Sequence, residues 1–197
     1  RLRMITMVQK KGGVSKTSTC VLLADHFRRT VDEQWGMVTN DESNLSALFG
    51  DDYFLRILTM RECPEIGGAD SVLVDLAGRP DQEAEQTLRA SGCLLVPIPP
   101  DRLSIESGMS VVDEALELNQ NVAVIAAMAS EQDKEDLEGL FKGLPVFRVR
   151  RSTMPQSIIG KQQWSDRLFD EMPILKRSWT GIMNDISTIA DWARRVS

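Results

Sequence analysis

Residues Lys11-Gly12-Gly13-Val14-Ser15-Lys16-Thr17-Ser18 carry the densest chemistry in the chain. They follow an apolar run, Met4 to Val8, and lead into a stretch where Val21, Ala24 and Phe27 fall near one helical face. A strand, a glycine-bearing turn and a helix start make an anion site: the turn aims backbone N–H groups at the ligand, and the helix N-terminus adds partial positive charge. A lysine at position 16 can reach outer phosphates, and the hydroxyl of Thr17 can ligate magnesium. Lys11 is a second lysine that an ordinary phosphate loop does not require.

Elements that could frame such a loop recur along the chain. Short apolar runs (Met4–Val8, Met37–Thr39, Val72–Asp75, Leu94–Ile98, Val122–Ala127, Val146–Val149) alternate with helical patterns. Ile105, Met109, Val112 and Leu116 step by four, three and four, the spacing of one buried helix face; Ile182, Ile186, Ile189, Ala193 and Val196 behave alike. This alternation predicts an α/β fold, a mostly parallel twisted sheet with helices on both faces and ligands at the carboxyl ends of its strands. With no repeat, low-complexity tract or linker, residues 1–197 are expected to form a single domain.

Val72-Leu73-Val74-Asp75 is an apolar strand ending in an acid that could hold a magnesium shell, and Gly78 follows it, where a backbone N–H can approach a γ-phosphate. Cys20, Cys63 and Cys93 show no paired spacing, which argues against disulfide or zinc frameworks and for a reducing cytoplasm. His26 has no partners in the sequence for base chemistry. No apolar run reaches the roughly 20 residues of a membrane span, and no signal-peptide core is seen near the start. Net charge is −6, yet residues 111–138 hold eight acids and one base while 148–177 hold seven bases and three acids. A local basic face is compatible with an acidic whole.

Taken together, Lys11 to Thr17 resemble the deviant Walker A motif of the ParA/MinD ATPases, a P-loop NTPase family. Ser15 stands where that family usually has glycine; at a positive φ it would carry strain that glycine avoids, so nucleotide binding with slow turnover is expected. The segment from Asp75 to Gly78 is similar to the family's Walker B and switch II region. Ala90 to Asp101 looks like its next strand, whose proline-rich end implies that Pro97 and Pro99 lie near the nucleotide and the dimer contact. A strand stopped by prolines is the plain reading of the same residues. In switch I the family's water-positioning Asp falls on Asn40 in a gapless alignment and on Asp41 with a one-residue deletion; Asp41 is the reading carried forward.

The size and layout look most like the small plasmid-partition ParA proteins. The resemblance implies an ATP-binding partition protein that uses ATP/ADP and Mg2+, with Thr17 and Asp75 on the metal and Lys11, Lys16 and Asp41 in catalysis. Residues 11–18, Gly78, Pro97 and Pro99 would surround the nucleotide. It implies a homodimer on ATP, with Lys11 reaching the partner's phosphates, and weak ATPase activity stimulated by a small centromere-binding adaptor. Non-specific DNA binding through Arg148, Arg150, Arg151, Lys161 and Arg167 would place the protein on the nucleoid when ATP-bound. The alternative is a ParA-like ATPase that positions a protein complex or serves conjugative DNA transfer. A metal-cluster carrier would need paired cysteines, and a bacterial tyrosine kinase a tyrosine-rich tail; the chain has one tyrosine, Tyr53. An amphipathic membrane helix over 174–196 is disfavoured because Asp185 and Asp191 interrupt its stripe. The strand end near Ala127 and Met128 is the region expected to face the adenine base.

Overall fold

The computed structural model describes residues 3–10, 15–30, 35–39, 54–56, 71–76 and 82–197. Within these, seven strands form one sheet in the order β3-β2-β4-β1-β5-β6-β7. They are β1 (Arg3–Val8), β2 (Trp35–Thr39), β3 (Phe54–Arg56), β4 (Ser71–Leu76), β5 (Cys93–Ile98), β6 (Val122–Ala127) and β7 (Val146–Val149). Every pairing is parallel. The six apolar runs read from the sequence are all strands, whereas the three-residue β3 has no such signature.

Side chains alternate between the two faces, as the pleat requires. Ile5, Met7, Leu73, Leu95 and Ile125 enter one core. Met4, Val8, Val72, Val74, Leu94 and Val124 enter the other. Strands covered on both sides read as continuous apolar runs, which is why the sequence displays them so plainly. The first face is covered by α1 (Lys16–Thr30), α5 (Met154–Lys161), α6 (Ser165–Glu171) and α8 (Thr180–Val196). The second is covered by α2 (Gln82–Ala90), α3 (Arg102–Leu118) and α4 (Glu131–Leu140).

One helix departs from its expected orientation. The face of α3 that is buried comprises Ser104, Gly108, Val111, Val112 and Ala115, and it leaves Met109 and Leu116 exposed. Gly108 explains the rotation. A Cβ there would lie 2.5 Å from Ile98 Cδ1, so the small residue lets α3 lie close on β5 and the larger side chains are turned outward. The C-terminal stripe does bury Ile182, Ile186, Ile189 and Ala193, but the region is two helices: α7 (Pro173–Ser178) ends at Trp179 before α8 begins. Among the described residues no helix is long and apolar enough to cross a membrane.

Polar clamps hold the layers in register. At the sheet's N-terminal rim, Asn119 Nδ2 donates to the carbonyls of Leu88 (3.0 Å) and Ser91 (2.7 Å), and Asn121 Nδ2 donates to those of Gly92 (2.9 Å) and Val196 (3.2 Å). Inside the helical layer, Asp25 of α1 is wholly buried. It accepts from the Ser165 N–H at 2.8 Å, the Ser165 hydroxyl at 2.7 Å and Arg29 Nε at 3.0 Å. Trp164, which precedes α6, has no side-chain acceptor to cap it, so a carboxylate 140 residues away caps that helix instead. Arg28 reinforces the junction from outside, 4.7 Å over the Trp164 ring and 3.5 Å from Asp166. Removing Asp25 would leave buried donors without an acceptor, and Asp25→Ala is expected to destabilise the fold by about 3 kcal/mol. Urea unfolding measures this, and a loss below ~1 kcal/mol would contradict the capping role.

Candidate functional site

The carboxyl ends of β1 and β4 bring the first functional group together. Their register sets Met7 beside Asp75, so the turn after β1 and the acid ending β4 meet at one rim. Ser15 adopts a left-handed backbone with φ 62°. Its carbonyl then accepts from both the N–H (2.9 Å) and the hydroxyl (2.8 Å) of Thr19, in the first turn of α1. The strain anticipated for a side-chain-bearing residue at this position is therefore present in the backbone.

Lys16, the first helical residue, points its Nζ to 3.0 Å from Asp75 Oδ1, and the Thr17 hydroxyl donates to Asp75 Oδ2 at 2.6 Å. Asp75 has no solvent exposure. The ion pair is not aligned as a hydrogen bond, so Oδ1 keeps acceptor capacity. A buried carboxylate oxygen beside a hydroxyl is a hard-oxygen donor set that suits Mg2+ completed by water and phosphate. One turn along α1, burial and then the Asp75 carboxylate push the Cys20 thiol well above its ordinary pKa, which makes it an inert apolar residue.

A cavity of about 420 Å³ adjoins this centre. Ser15, Ser18 and Thr19 line the end nearest Lys16, and Leu22 and Ile182 supply apolar surface. The strand ends Ala127, Met128 and Val149 line it further along, and Met128 is itself left-handed with φ 53°. Arg150, Arg151, Ser152, Thr153 and Gln156 also line it. The volume and the mix of apolar walls with a few polar groups are those of a small-molecule site.

Apart from the basic cluster, the sequence-derived residues fall into three groups. Ser15, Lys16, Thr17, Ser18 and Asp75 converge at the strand ends, with Ala127 and Met128 on the cavity. Pro97 and Pro99 are buried at the end of β5; the Pro97 carbonyl accepts from Gln9 Nε2 at 3.0 Å, and Gln9 Oε1 accepts from the Lys10 N–H at 2.9 Å, tying β1 to β5. Lys10 itself pairs with Glu114 of α3. Lys11, Gly12, Gly13, Val14, Asn40, Asp41 and Gly78 lie outside the described residues.

The basic cluster is more divided than the sequence implies. Arg151 and Lys161 are exposed, and Arg167 lies 3.8 Å from Glu171. Arg148 pairs with Glu131 at 3.0 Å, and Arg150 is held by Asp185 through Nε (2.8 Å) and Nη2 (3.0 Å). The cavity wall from Arg150 to Gln156 is what the sequence reading missed. The polar run directly after the apolar β7 was its available signal, since such sheets bind ligands at their strand ends.

No family model matches the chain, and no curated protein matches it in sequence. Solved structures do match its fold. MinD with Mg-ADP from Pyrococcus horikoshii is 15% identical, with TM-score 0.73 over 100% of this chain and 96% of that one. An ATP complex of a McdA variant from Cyanothece is 13% identical, with TM-score 0.72 over 100% and 97%. A ParA family ATPase from Chlorobium tepidum is 14% identical, with TM-score 0.68 over 97% and 98%. The chain thus has the α/β fold shared by ParA- and MinD-type ATPases.

Replacing Ser15 with glycine removes the cost of a left-handed backbone and adds back less in unfolded-chain entropy. Ser15→Gly is expected to stabilise the protein by up to ~1 kcal/mol. Thermal unfolding checks this; a lowered midpoint would mean that the serine side chain contributes more than its backbone strain costs.

Proposed function

We propose that this chain binds ATP with Mg2+ and acts as a positioning ATPase of the ParA/MinD kind. One observation carries the reading: Lys16, Thr17 and Asp75, brought together from β1–α1 and β4, stand beside a cavity of nucleoside size at the strand ends. In this reading Lys16 exchanges its Asp75 partner for the outer phosphates. Thr17 Oγ1 and Asp75 would hold the ion and its water shell, and the ion would neutralise phosphate charge. Ser18 and Thr19 follow the helix N-terminus toward the cavity, whose apolar walls receive the nucleoside.

Family resemblance supplies the finer assignments. Lys11 reaches across a two-fold interface to the partner's phosphates, which makes dimerisation depend on nucleotide. Asp41 orients the attacking water, Gly78 approaches the γ-phosphate, and Pro97 and Pro99 border the interface. Hydrolysis is slow and rises with a small adaptor. The ATP dimer binds DNA without sequence preference, with Arg151, Lys161 and Arg167 as exposed cations. A second reading, in which the cargo is a protein complex, is favoured by one observation: Arg148 and Arg150 are already engaged by Glu131 and Asp185.

Calorimetry is expected to show ATP binding that needs Mg2+, and Lys16→Ala should weaken it by about 10- to 100-fold, the loss of a charge-assisted contact. Equal affinity in wild type and variant would contradict the site. Light scattering should show mass doubling with a slowly hydrolysed ATP analogue and none for Lys11→Ala. In mobility-shift assays, DNA retardation that requires ATP and fades with salt selects DNA as cargo surface; no retardation at low salt with ATP selects the protein-complex reading.

A further inference from the structure

Asp185 lies on α8 and does not line the cavity, yet it makes three hydrogen bonds to a residue that does. Its Oδ2 accepts from the Arg150 backbone N–H at 3.0 Å and from Nε at 2.8 Å, while Oδ1 accepts from Nη2 at 3.0 Å. Both the backbone and the guanidinium of Arg150 are therefore set by one carboxylate. Gly181, one turn earlier on α8, provides the seat. A Cβ at 181 would lie 2.3 Å from Arg150 Nη1, 2.7 Å from Cζ and 3.1 Å from Nε. Those three distances place Gly181 over one face of the guanidinium, so any larger residue would displace it. The neighbouring Ile182 lines the cavity itself. A single turn of α8 thus carries the seat, an apolar cavity wall and the clamp.

We infer that Asp185 is a positioning residue for base recognition, holding the Arg150 guanidinium as a fixed wall against which a purine ring stacks. This rests on reading the cavity as the nucleotide site. Arg150 lines the cavity, and with one edge on Asp185 and one face on Gly181 it has its other face left for a ligand. A planar, weakly hydrated guanidinium is a good stacking partner for an aromatic ring, and holding it in place beforehand lowers the cost of ordering it. The same clamping leaves its paired edge unable to serve phosphate. Arg148, whose Nη2 sits 4.0 Å from Asp185 Oδ1 and 3.0 Å from Glu131, keeps the carboxylate from turning away. Purine preference follows, because the larger ring system overlaps the guanidinium more fully than a pyrimidine does.

The test compares ATP and CTP by displacement of a fluorescent ATP analogue in the presence of Mg2+, on wild type, Asp185→Asn and Gly181→Ala. Wild type is expected to favour ATP. Both variants should weaken ATP by about tenfold (~1.4 kcal/mol) and CTP by about twofold or less, narrowing the ratio. A purely structural role for Asp185 lowers both affinities together and leaves the ratio unchanged, which overturns the inference. So does a wild type that binds the two equally. If Asp185→Asn does not fold, Gly181→Ala alone decides by the same ratio. Wild type that binds neither nucleotide overturns the nucleotide reading and this inference with it; wild type that prefers ATP, with variants of unaltered ratio, overturns only the inference.

Discussion

A carboxylate buried without solvent at the end of a central strand must be matched by a cation and donors, and Asp75 draws both from one loop. Lys16 and Thr17 are adjacent in sequence and bind its two oxygens. Their convergence rests on β1 lying beside β4 in the middle of the sheet. The start of α1 and the pairing of β1 with β4 thus answer one electrostatic demand. Uncompensated, the buried charge would be among the most destabilising features of the chain.

The helical layer carries a second buried carboxylate, and the contrast is instructive. Asp25 is fully satisfied by Ser165 and Arg29, whereas Asp75 retains an oxygen without an aligned donor. Complete satisfaction is the mark of a structural group, and Asp25 fixes α6 on α1. Residual acceptor capacity at the strand ends is the mark of a group built to accept something further. Both sit on or against α1, so the helix whose first residues meet Asp75 is also the one that anchors the C-terminal helices.

Much of this could be read from the sequence because it is written locally. Strands covered on both faces appear as apolar runs, and the chemistry of Lys16, Thr17 and Asp75 follows from their place at a helix start and a strand end. What escaped the sequence depends on packing between distant segments. Periodicity on α3 assigned Met109 and Leu116 to the core because it counts hydrophobic residues; the close approach at Gly108 decided otherwise. Asp25 reads as a solvated acid in mid-helix until Ser165 is placed against it. Arg148 and Arg150 read as part of a surface for polyanions, yet their acidic partners Glu131 and Asp185 lie on two helices distant in sequence. A charge cluster in sequence does not reveal which of its members are already neutralised.

The sheet order has a kinetic side. β1 precedes the other described strands and is central in space, with neighbours that begin at Ser71 and Cys93. No early hairpin can shelter it, because every pairing is parallel and its partners emerge only after some 70 further residues. During synthesis its apolar residues wait unpaired, a non-local topology of the kind that folds slowly and exposes sticky edges meanwhile. The rim where Lys16 and Thr17 meet Asp75 is therefore completed late, when β4 and β5 close on both sides of a segment made long before.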